Sequence, residues 1–291
     1  MIADLRKISR HHRSESPMNQ PTFPRHLLVS CAVATTLFGA WPAHAIVNGT
    51  ATTSFGALGS LGNASGVLIA DNWVLTAAHV ANGLSVGSSS FSVLTGSSLV
   101  DAVYTFSSAA FPSNDIALVH LGTSLDAATP VLNDLVIQSE QVATLGTLTM
   151  ASAQNQVPNG YATTTAYDAT TTYTSEGVSA TVNWLLTQGQ AYVQSGDSGS
   201  ALFKGSVIDS AGSLLLGITS AALTNDTTGA TEGSAFVQVA HYKTWIDATL
   251  ASSGQQASWA SSVPEPSNLA LFALGGLAIL ALRTGHSGRN G

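Results

Sequence analysis

Cysteine is almost absent from this sequence, and with it the chemistry that needs a thiol. The only cysteine among 291 residues is Cys31, in an N-terminal stretch that we predict to be removed. The remaining chain therefore has no thiol for a disulfide or a thiolate metal site. Its stability must come from packing, and a chain of this length with 45% hydrophobic residues can form one large or two small cores.

Basic residues are also scarce. From residue 46 to residue 262, Lys204 and Lys243 stand against thirteen acidic residues, which leaves a formal charge of −11. Nucleic-acid binding needs clustered Lys and Arg, so we expect no nucleic-acid partner. The same segment has three histidines, His79, His120 and His241, so few residues can serve as a catalytic base.

The N-terminus has the order of a secretory signal peptide. Basic residues are frequent in residues 1–25, an apolar run follows from Leu27 to Pro42, and Ala43-His44-Ala45 ends it. Small residues at the first and third of these positions are typical of a signal-peptidase site. We predict that residues 1–45 are removed and that Ile46 begins the mature chain.

Three other interpretations of this end remain open. Residues 1–17 can be a start-site extension, with Met18 as the first residue of the signal peptide. The apolar run can also be a membrane anchor, or part of a lipoprotein signal that ends at Cys31.

From residue 46 to residue 238 the pattern predicts an all-β body. Short runs rich in Val, Leu, Ile, Thr and Ala alternate with Gly, Asn and Ser, which is typical of strands joined by turns. The apolar residues of 239–250 have helical spacing, and residues 251–262 are a Ser/Ala/Gln/Gly-rich segment that predicts a flexible linker. The predicted strands include Gly66–Ala70, Trp73–Thr76, Phe91–Leu94, Ile116–Leu121, Gln141–Leu148, Val178–Leu186 and Ser213–Ser220.

Residues 263–291 form a separate C-terminal segment. Val263-Pro264-Glu265-Pro266 precedes an apolar run and then Arg283. We predict a membrane helix over about 267–282, although the run is shorter than the roughly 20 residues of a full span. A buried core helix is the alternative.

The segment Gly196-Asp197-Ser198-Gly199-Ser200 suits a tight turn that presents a hydroxyl group. Small neighbours let a substrate backbone approach, and successive N–H groups can converge on a developing oxyanion. An ordinary loop is the alternative, because Gly, Ser and Asp are common in turns.

A serine nucleophile also needs a base and a carboxylate that orients the base. His79 follows the predicted strand Trp73–Thr76, and Asp115 directly precedes the predicted strand Ile116–Leu121. Each residue taken singly can be structural, as a histidine packed in the fold or an aspartate in a turn. Together they are the candidates for base and acid.

In this order, these segments resemble the trypsin/chymotrypsin-like serine proteases. The resemblance covers most of residues 46–250. It implies two six-stranded antiparallel β-barrels, about 46–130 and 131–238, followed by the helix 239–250, with the active site in the cleft between the barrels. It rests on six segments: Ile46-Val47-Asn48-Gly49, Thr76-Ala77-Ala78-His79, Asp115-Ile116-Ala117-Leu118, Gly196-Asp197-Ser198-Gly199, Leu216-Gly217-Ile218-Thr219-Ser220 and Gly233-Ser234-Ala235-Phe236-Val237.

The resemblance implies a serine endopeptidase with Ser198 as nucleophile, His79 as base and Asp115 as orienting acid. The backbone N–H groups of Gly196 and Ser198 would form the oxyanion hole. We expect a polypeptide substrate, a monomer, no metal and no cofactor.

The resemblance further implies a buried pair between the α-amine of Ile46 and the carboxylate of Asp197. Cleavage by signal peptidase would itself expose this amine. We therefore hypothesise that export activates the enzyme without a separate zymogen.

The resemblance implies that the substrate is contacted by Tyr192, Val193, Ser220, Ala221 and Ala222. None is acidic, so cleavage after Arg or Lys is not expected. This set predicts cleavage after uncharged residues.

The C-terminal segment resembles the PEP-CTERM sorting signal of Gram-negative bacteria, through Pro264, Glu265 and Pro266, the apolar run and Arg283. The resemblance implies recognition and removal by an exosortase, after transient anchoring in the membrane. We expect export to the periplasm, the outer envelope or an extracellular matrix.

Two other functions remain open. The first is a catalytically silent surface or matrix binding protein on the same fold, which would not need all three of His79, Asp115 and Ser198. The second is an esterase-type hydrolase, but there the histidine follows the serine in the chain, whereas His79 precedes Ser198.

Overall fold

A computed structural model describes residues 2–3, 27–30, 45–154, 159–175, 178–225 and 227–260. All of them fall within one unit, Met1–Ala260. Three short strands come first in the chain: β1 (Ile2–Ala3), β2 (Leu27–Ser30) and β3 (Thr50–Thr52).

The next six strands close into a barrel in the order β4-β5-β6-β9-β8-β7. Every pairing in this barrel is antiparallel. A four-residue helix, α1 (Ala78–Ala81), follows the third of these strands. The strands are β4 (Leu58–Leu61), β5 (Ala64–Ala70), β6 (Trp73–Thr76), β7 (Ser90–Val93), β8 (Gly96–Thr105) and β9 (Ala117–Leu121).

Strand β5 is apolar at consecutive positions because both of its faces are buried. Leu68 packs with Val74 and Phe91 in the core of the first barrel. Its neighbours Val67 and Ile69 belong to a larger cluster that also contains residues of the second half of the chain. Since successive side chains of a strand point to opposite faces, the same strand fills the barrel and joins the two halves.

The second half contains a further barrel. Its strands follow the order β15-β14-β11-β12-β13-β16, and an additional pairing of β15 with β16 closes the path. The expectation of two six-stranded barrels is therefore confirmed. The strands of this half are β10 (Val131–Leu132), β11 (Thr147–Ser152), β12 (Asn159–Ser175), β13 (Val178–Gln188), β14 (Ala201–Lys204), β15 (Leu214–Asn225) and β16 (Thr231–Gln238).

Four short strands lie outside the two closed paths. β3 pairs with β12, so the segment just after Ile46 belongs with the second barrel and not the first. β10, between the barrels in sequence, pairs in parallel with β15. β2 pairs with the far end of β15, and β1 pairs with β2.

The prediction of a strand over Gln141–Leu148 is wrong for its first part. A 3₁₀ helix spans Ser139–Thr144, and β11 begins only at Thr147. The cause is local: the Gln138 N–H donates a hydrogen bond of 2.9 Å to Gln141 Oε1, which caps the helix. Hydrogen bonds of this kind compete with a strand ladder.

The predicted C-terminal helix is present, in two pieces. A 3₁₀ turn over Val239–Tyr242 leads into α2 (Lys243–Ala251), which buries Ile246 and Leu250. These apolar residues are among those that produce the helical spacing of the segment.

The prediction of a flexible linker after this helix is wrong for its described part. The Leu132 N–H donates to Ser258 O at 2.7 Å, and the Ala260 N–H donates to Leu132 O at 2.8 Å. Lys243 Nζ lies 4.0 Å from the centre of the Trp259 ring. One tryptophan in an otherwise small and polar segment thus provides an anchoring point on the body.

Most predictions for the two chain ends fall on residues that the structure does not describe. These include most of the signal peptide 1–45 and all of the sorting segment 263–291 with its membrane helix 267–282. Within the described ranges, no helix combines the length and apolar character needed to cross a membrane.

Candidate active site

His79 lies where the chain leaves β6 and turns into α1. Ala77, the residue before this helix, is still extended, with φ −77° and ψ 146°. His79 is the second residue of α1, and its side chain is 20% exposed. The Phe111 ring packs edge-on against the imidazole at a centroid distance of 5.4 Å. The imidazole is thus held at a strand end with one side open.

Asp115 comes next to His79 because β6 and β9 are antiparallel neighbours. Thr76 pairs with Ala117, so the end of β6 meets the start of β9. Asp115 is 1% exposed. Asn114 before it adopts a left-handed backbone, with φ 47°, which asparagine tolerates better than most residues.

His79, Asp115 and Ser198 form one chain of hydrogen bonds. His79 Nδ1 lies 2.8 Å from Asp115 Oδ2, and His79 Nε2 lies 2.8 Å from Ser198 Oγ. The His79 N–H also donates to Asp115 Oδ1 at 2.9 Å. An ionised carboxylate only accepts, so Nδ1 carries the proton and Nε2 is free to accept one from the serine hydroxyl.

Both glycines of residues 196–200, the nucleophile loop, have backbones that disfavour other residues. Gly196 has φ 98° and Gly199 has φ 80°. A Cβ on Gly199 would also collide with the Ser65 carbonyl oxygen and the Thr76 hydroxyl. Glycine at position 199 therefore allows the loop to lie directly against the first barrel.

Backbone hydrogen bonds fix the loop on both sides of Ser198. The Ser65 N–H donates to Ser198 O at 2.9 Å, and the Gly199 N–H donates to Thr219 O at 2.9 Å. The N–H groups of Gly196 and Ser198 donate no hydrogen bond to any residue that the structure describes. These two donors remain available next to the serine hydroxyl.

The carboxyl group of Asp197 is buried and surrounded by donors. Burial is the largest influence and raises its pKa above the usual value. Hydrogen bonds from the backbone N–H groups of Gln194 and Ile46 and from the side chains of Ser152 and Gln154 act in the opposite direction. A buried carboxyl group with this many donors is prepared to hold a negative charge once a positive charge is close.

The Ile46 N–H donates to Asp197 Oδ2 at 3.3 Å, so the structure brings together the two residues predicted to pair. Ile46 has φ 64°, a conformation that a β-branched residue rarely adopts. Ala45 and Ile46 are 1% and 0% exposed, and a Cβ on Gly160 would collide with the Ala45 carbonyl oxygen. The peptide bond that precedes Ile46 is thus enclosed in the folded chain.

The residues predicted to contact a substrate lie in three different settings. Tyr192 is half-buried and its carbonyl accepts from the Val47 N–H at 3.0 Å. Val193 is 2% exposed and packs in the core of the second barrel. Ala221 and Ala222 lie on β15, paired with Ala235 and Ser234 of β16.

Ser220 has a contact that its place in the sequence does not reveal. It is one of the predicted substrate-contacting residues, and its hydroxyl donates to Asp115 Oδ2 at 2.7 Å. Sequence reasoning also missed Ser65, Ser152 and Gln154, which contact the nucleophile loop or Asp197. No local pattern marks these residues, since serine and glutamine occur throughout the chain. The described residues contain no group of three or more His, Cys, Asp or Glu side chains arranged to hold a metal ion.

Comparison with known proteins identifies the family. A family model described as "Trypsin" matches residues 46–246. Among solved structures, "Secreted serine protease VesC from Vibrio cholerae" is similar, with a TM-score of 0.51 and 15% sequence identity. The match covers 69% of this chain and 48% of that one, so the chain spans about half the length of the Vibrio protein. At this identity the likeness shows the fold. No curated protein matches.

Proposed function

This chain belongs to the trypsin family, and from that premise we propose that it is a serine endopeptidase. The observation that carries the proposal is the hydrogen-bond chain from Asp115 through His79 to Ser198, in which each imidazole nitrogen lies 2.8 Å from its partner oxygen. These distances lie within the reach that proton transfer requires.

In the proposed reaction, Ser198 Oγ attacks the carbonyl carbon of the scissile peptide bond while His79 Nε2 takes the hydroxyl proton. The imidazolium then gives this proton to the leaving amine, and an acyl-enzyme remains on Ser198. A water molecule, deprotonated by His79, attacks the acyl carbonyl. The bond from this carbon to Ser198 Oγ then breaks, the imidazolium returns its proton to Oγ, and the second product leaves. Asp115 keeps the proton on Nδ1 and stabilises the imidazolium, which is the role of the acid in a triad of this kind.

The N–H groups of Gly196 and Ser198 are the proposed oxyanion hole. Neither donates to another described residue, whereas the neighbouring Asp197, Gly199 and Ser200 N–H groups are all engaged. Donors of this kind act on the charge that develops in the transition state, and each is worth about 3–4 kcal/mol in a comparable hydrolase.

We further propose that a free α-amine on Ile46 activates the enzyme. The Asp197 carboxyl group is buried, which raises its pKa, and a cationic amine at the position of the Ile46 nitrogen would offset that burial. Cleavage before Ile46 also removes the preceding peptide and with it the strained φ of 64°.

Burial supports an order for these events. Ala45 and Ile46 are enclosed in the folded chain, so a peptidase reaches the bond between them only before the protein folds. Removal of residues 1–45 during export meets this requirement. N-terminal sequencing of the secreted, active protein tests it, and any residue retained before Ile46 would contradict it.

We propose cleavage after uncharged residues of the substrate. Tyr192, Val193, Ser220, Ala221 and Ala222 include no acidic side chain that could pair with Arg or Lys. Hydrolysis of a peptide library by the purified enzyme measures this preference directly.

Export and sorting complete the proposal. The signal peptide 1–45 would direct secretion, and the similar Vibrio protease is itself described as secreted. Residues 263–291 would then hold the chain in the membrane until an exosortase removes them. Substitution of Glu265 by Ala should leave the protein unprocessed, which a size shift on a gel would show.

The decisive experiment is active-site labelling. A fluorophosphonate probe should label the native wild-type protein, and Ser198→Ala should lose both the labelling and peptide cleavage. Absence of labelling in the folded wild-type protein would instead favour the catalytically silent binding protein.

A further inference from the structure

Gln154 lies just after β11 and holds both residues that flank Gly196. Its Nε2 donates to Asp197 Oδ1 at 2.7 Å and to Ser195 O at 3.4 Å. A glutamine amide nitrogen carries two hydrogens, so one side chain can make both bonds at once.

The same amide group packs on Gly196. A Cβ on this glycine would lie 2.8 Å from Gln154 Cδ and 3.0 Å from both Nε2 and Oε1. Gly196 has φ 98°, a conformation open to glycine, and the amide covers its Cα. Gln154 therefore limits how the Gly196 peptide can rotate.

Besides the Ser152 side chain, three donors contact the Asp197 carboxyl group, and they divide between its two oxygens. Oδ2 accepts from the Gln194 N–H at 2.8 Å and from the Ile46 N–H at 3.3 Å, whereas Oδ1 accepts from Gln154. The bond from Gln154 does not depend on the charge of the N-terminus. It favours the same position of the carboxylate as the attraction of the charged Ile46 amine does.

The first barrel fixes the backbone that carries Gln154. Ser65 Oγ donates to Ala153 O at 2.8 Å and lies 3.0 Å from Ser152 Oγ. The carbonyl that Ser65 holds belongs to the peptide bond directly before Gln154. The position of the amide is thus tied to the same barrel that carries His79.

We propose that Gln154 is a positioning residue for the oxyanion donor Gly196, acting through Asp197 and Ser195. This proposal rests on the proposed endopeptidase function and adds a residue to it. Gln154 does not touch the reacting atoms. It holds the loop in the arrangement in which the Gly196 N–H faces the developing charge.

The role of Gln154 has a consequence for the pH profile. The Ile46 amine pairs with Asp197 only while it is protonated, and a free α-amine has a pKa of about 7.7–8.0. Stabilisation of the paired loop raises the apparent pKa of the amine, and each tenfold loss of that stabilisation lowers it by about one unit. Loss of Gln154 should therefore bring alkaline inactivation to lower pH.

The test compares three variants of the mature enzyme. Gln154→Leu keeps the size and removes the donors, and Gln154→Glu places a second carboxylate against Asp197. Gln188→Glu, at an exposed position of β13, is the matched charge control. We expect kcat/KM to fall about tenfold to a hundredfold in Gln154→Leu, further in Gln154→Glu, and not in the control.

The alkaline limb of kcat/KM against pH separates positioning from a merely structural role. The apparent pKa of this limb should be about one unit lower in Gln154→Leu for each tenfold loss of the stabilisation of the paired loop. If the limb stays in place, whether or not the melting temperature falls, the proposal is overturned. If Gln154→Leu does not fold, Gln154→Asn keeps the amide one methylene shorter and should show a smaller shift in the same direction.

Failure of the endopeptidase proposal has a different signature. In that case the wild-type protein itself reacts with no fluorophosphonate and cleaves no peptide, and both proposals are overturned together. An active wild-type enzyme with an unmoved alkaline limb in Gln154→Leu overturns the role of Gln154 alone.

Discussion

The Ser220 hydroxyl donates a hydrogen bond of 2.7 Å to Asp115 Oδ2, although 105 residues separate the two in the chain. Asp115 lies just before β9 in the first barrel, and Ser220 lies on β15 in the second. The carboxylate thus accepts from His79 on its own barrel and from a hydroxyl on the other. Its orientation depends on how the two barrels pack together.

Replacement of Ser220 by Ala should remove one of the hydrogen bonds to this buried carboxylate. Hydrogen bonds to charged groups contribute about 1.5–3 kcal/mol, so we expect kcat/KM to fall at least about tenfold. Thr224→Ala, on the same strand but away from the site, is the control. Steady-state peptide hydrolysis by both variants measures the effect, and equal rates would contradict it.

Replacement of Gly199 by Ala should be far more damaging than replacement of Gly205 by Ala. Both glycines have positive φ, 80° and 84°, so both substitutions carry about 1–2 kcal/mol of backbone strain. A Cβ at Gly205 meets nothing within 4 Å, whereas one at Gly199 meets Ser65 and Thr76. Overpacking adds about 1–3 kcal/mol or more at Gly199.

Urea unfolding of the two glycine variants measures this difference directly. The Gly205 variant should keep its activity. Equal losses of unfolding free energy in the two would show that the close approach of the loop to the first barrel is not required.

The stability of the protein should depend on pH through Asp197, with a decline at rising pH for a blocked N-terminus that is absent for a free one. With a neutral Ile46 nitrogen, burial raises the folded-state pKa of Asp197 above its ordinary 3.8. At a pH between the unfolded-state and folded-state pKa of Asp197, the folded chain binds a proton that the unfolded chain does not. Stability therefore falls as pH rises through this interval. A free amine supplies a positive charge that lowers this pKa and removes the decline.

The comparison needs the chain that begins at Ile46, with its amine free or acetylated. The unfolding free energy of the free-amine form should exceed that of the acetylated form by an amount that grows from about pH 4 towards neutrality. Asp197→Asn in both forms should abolish the growing difference. A constant difference across this range would show that the amine does not pair with Asp197.

His241 should make the protein less stable in acid. Burial lowers its pKa below 6.5, and its Nε2 has no hydrogen-bond partner among the residues that the structure describes. Below about pH 6.5 the unfolded chain binds a proton that the folded chain resists, so stability is full above this pH and falls as pH drops through the lowered pKa.

Replacement of His241 by Phe removes this titration. The unfolding free energy of His241→Phe should therefore change less between about pH 7 and about pH 5 than that of the wild-type protein. The same slope in both proteins would contradict the assignment of the acid sensitivity to His241.

Local patterns were sufficient for most of the fold. The strand predicted over Trp73–Thr76 is present with the same bounds, because a short apolar run between turn-forming residues has few other ways to bury itself. The prediction failed over Ser139–Thr144, where Gln138 caps a 3₁₀ helix through a contact that the apolar pattern does not take into account.

The sequence by itself determined the all-β class, the family and the choice of His79, Asp115 and Ser198 as candidates. All three conclusions depend only on short stretches of neighbouring residues. Only the tertiary structure decided which side chains hold these residues in place. Ser220 reaches Asp115 across 105 residues and Gln154 reaches Asp197 across 43. Serine and glutamine have no signature at such separations. The partner of Ser220 depends on how the two barrels come into contact, and that of Gln154 depends on the pairing of β11 with β14 inside the second barrel.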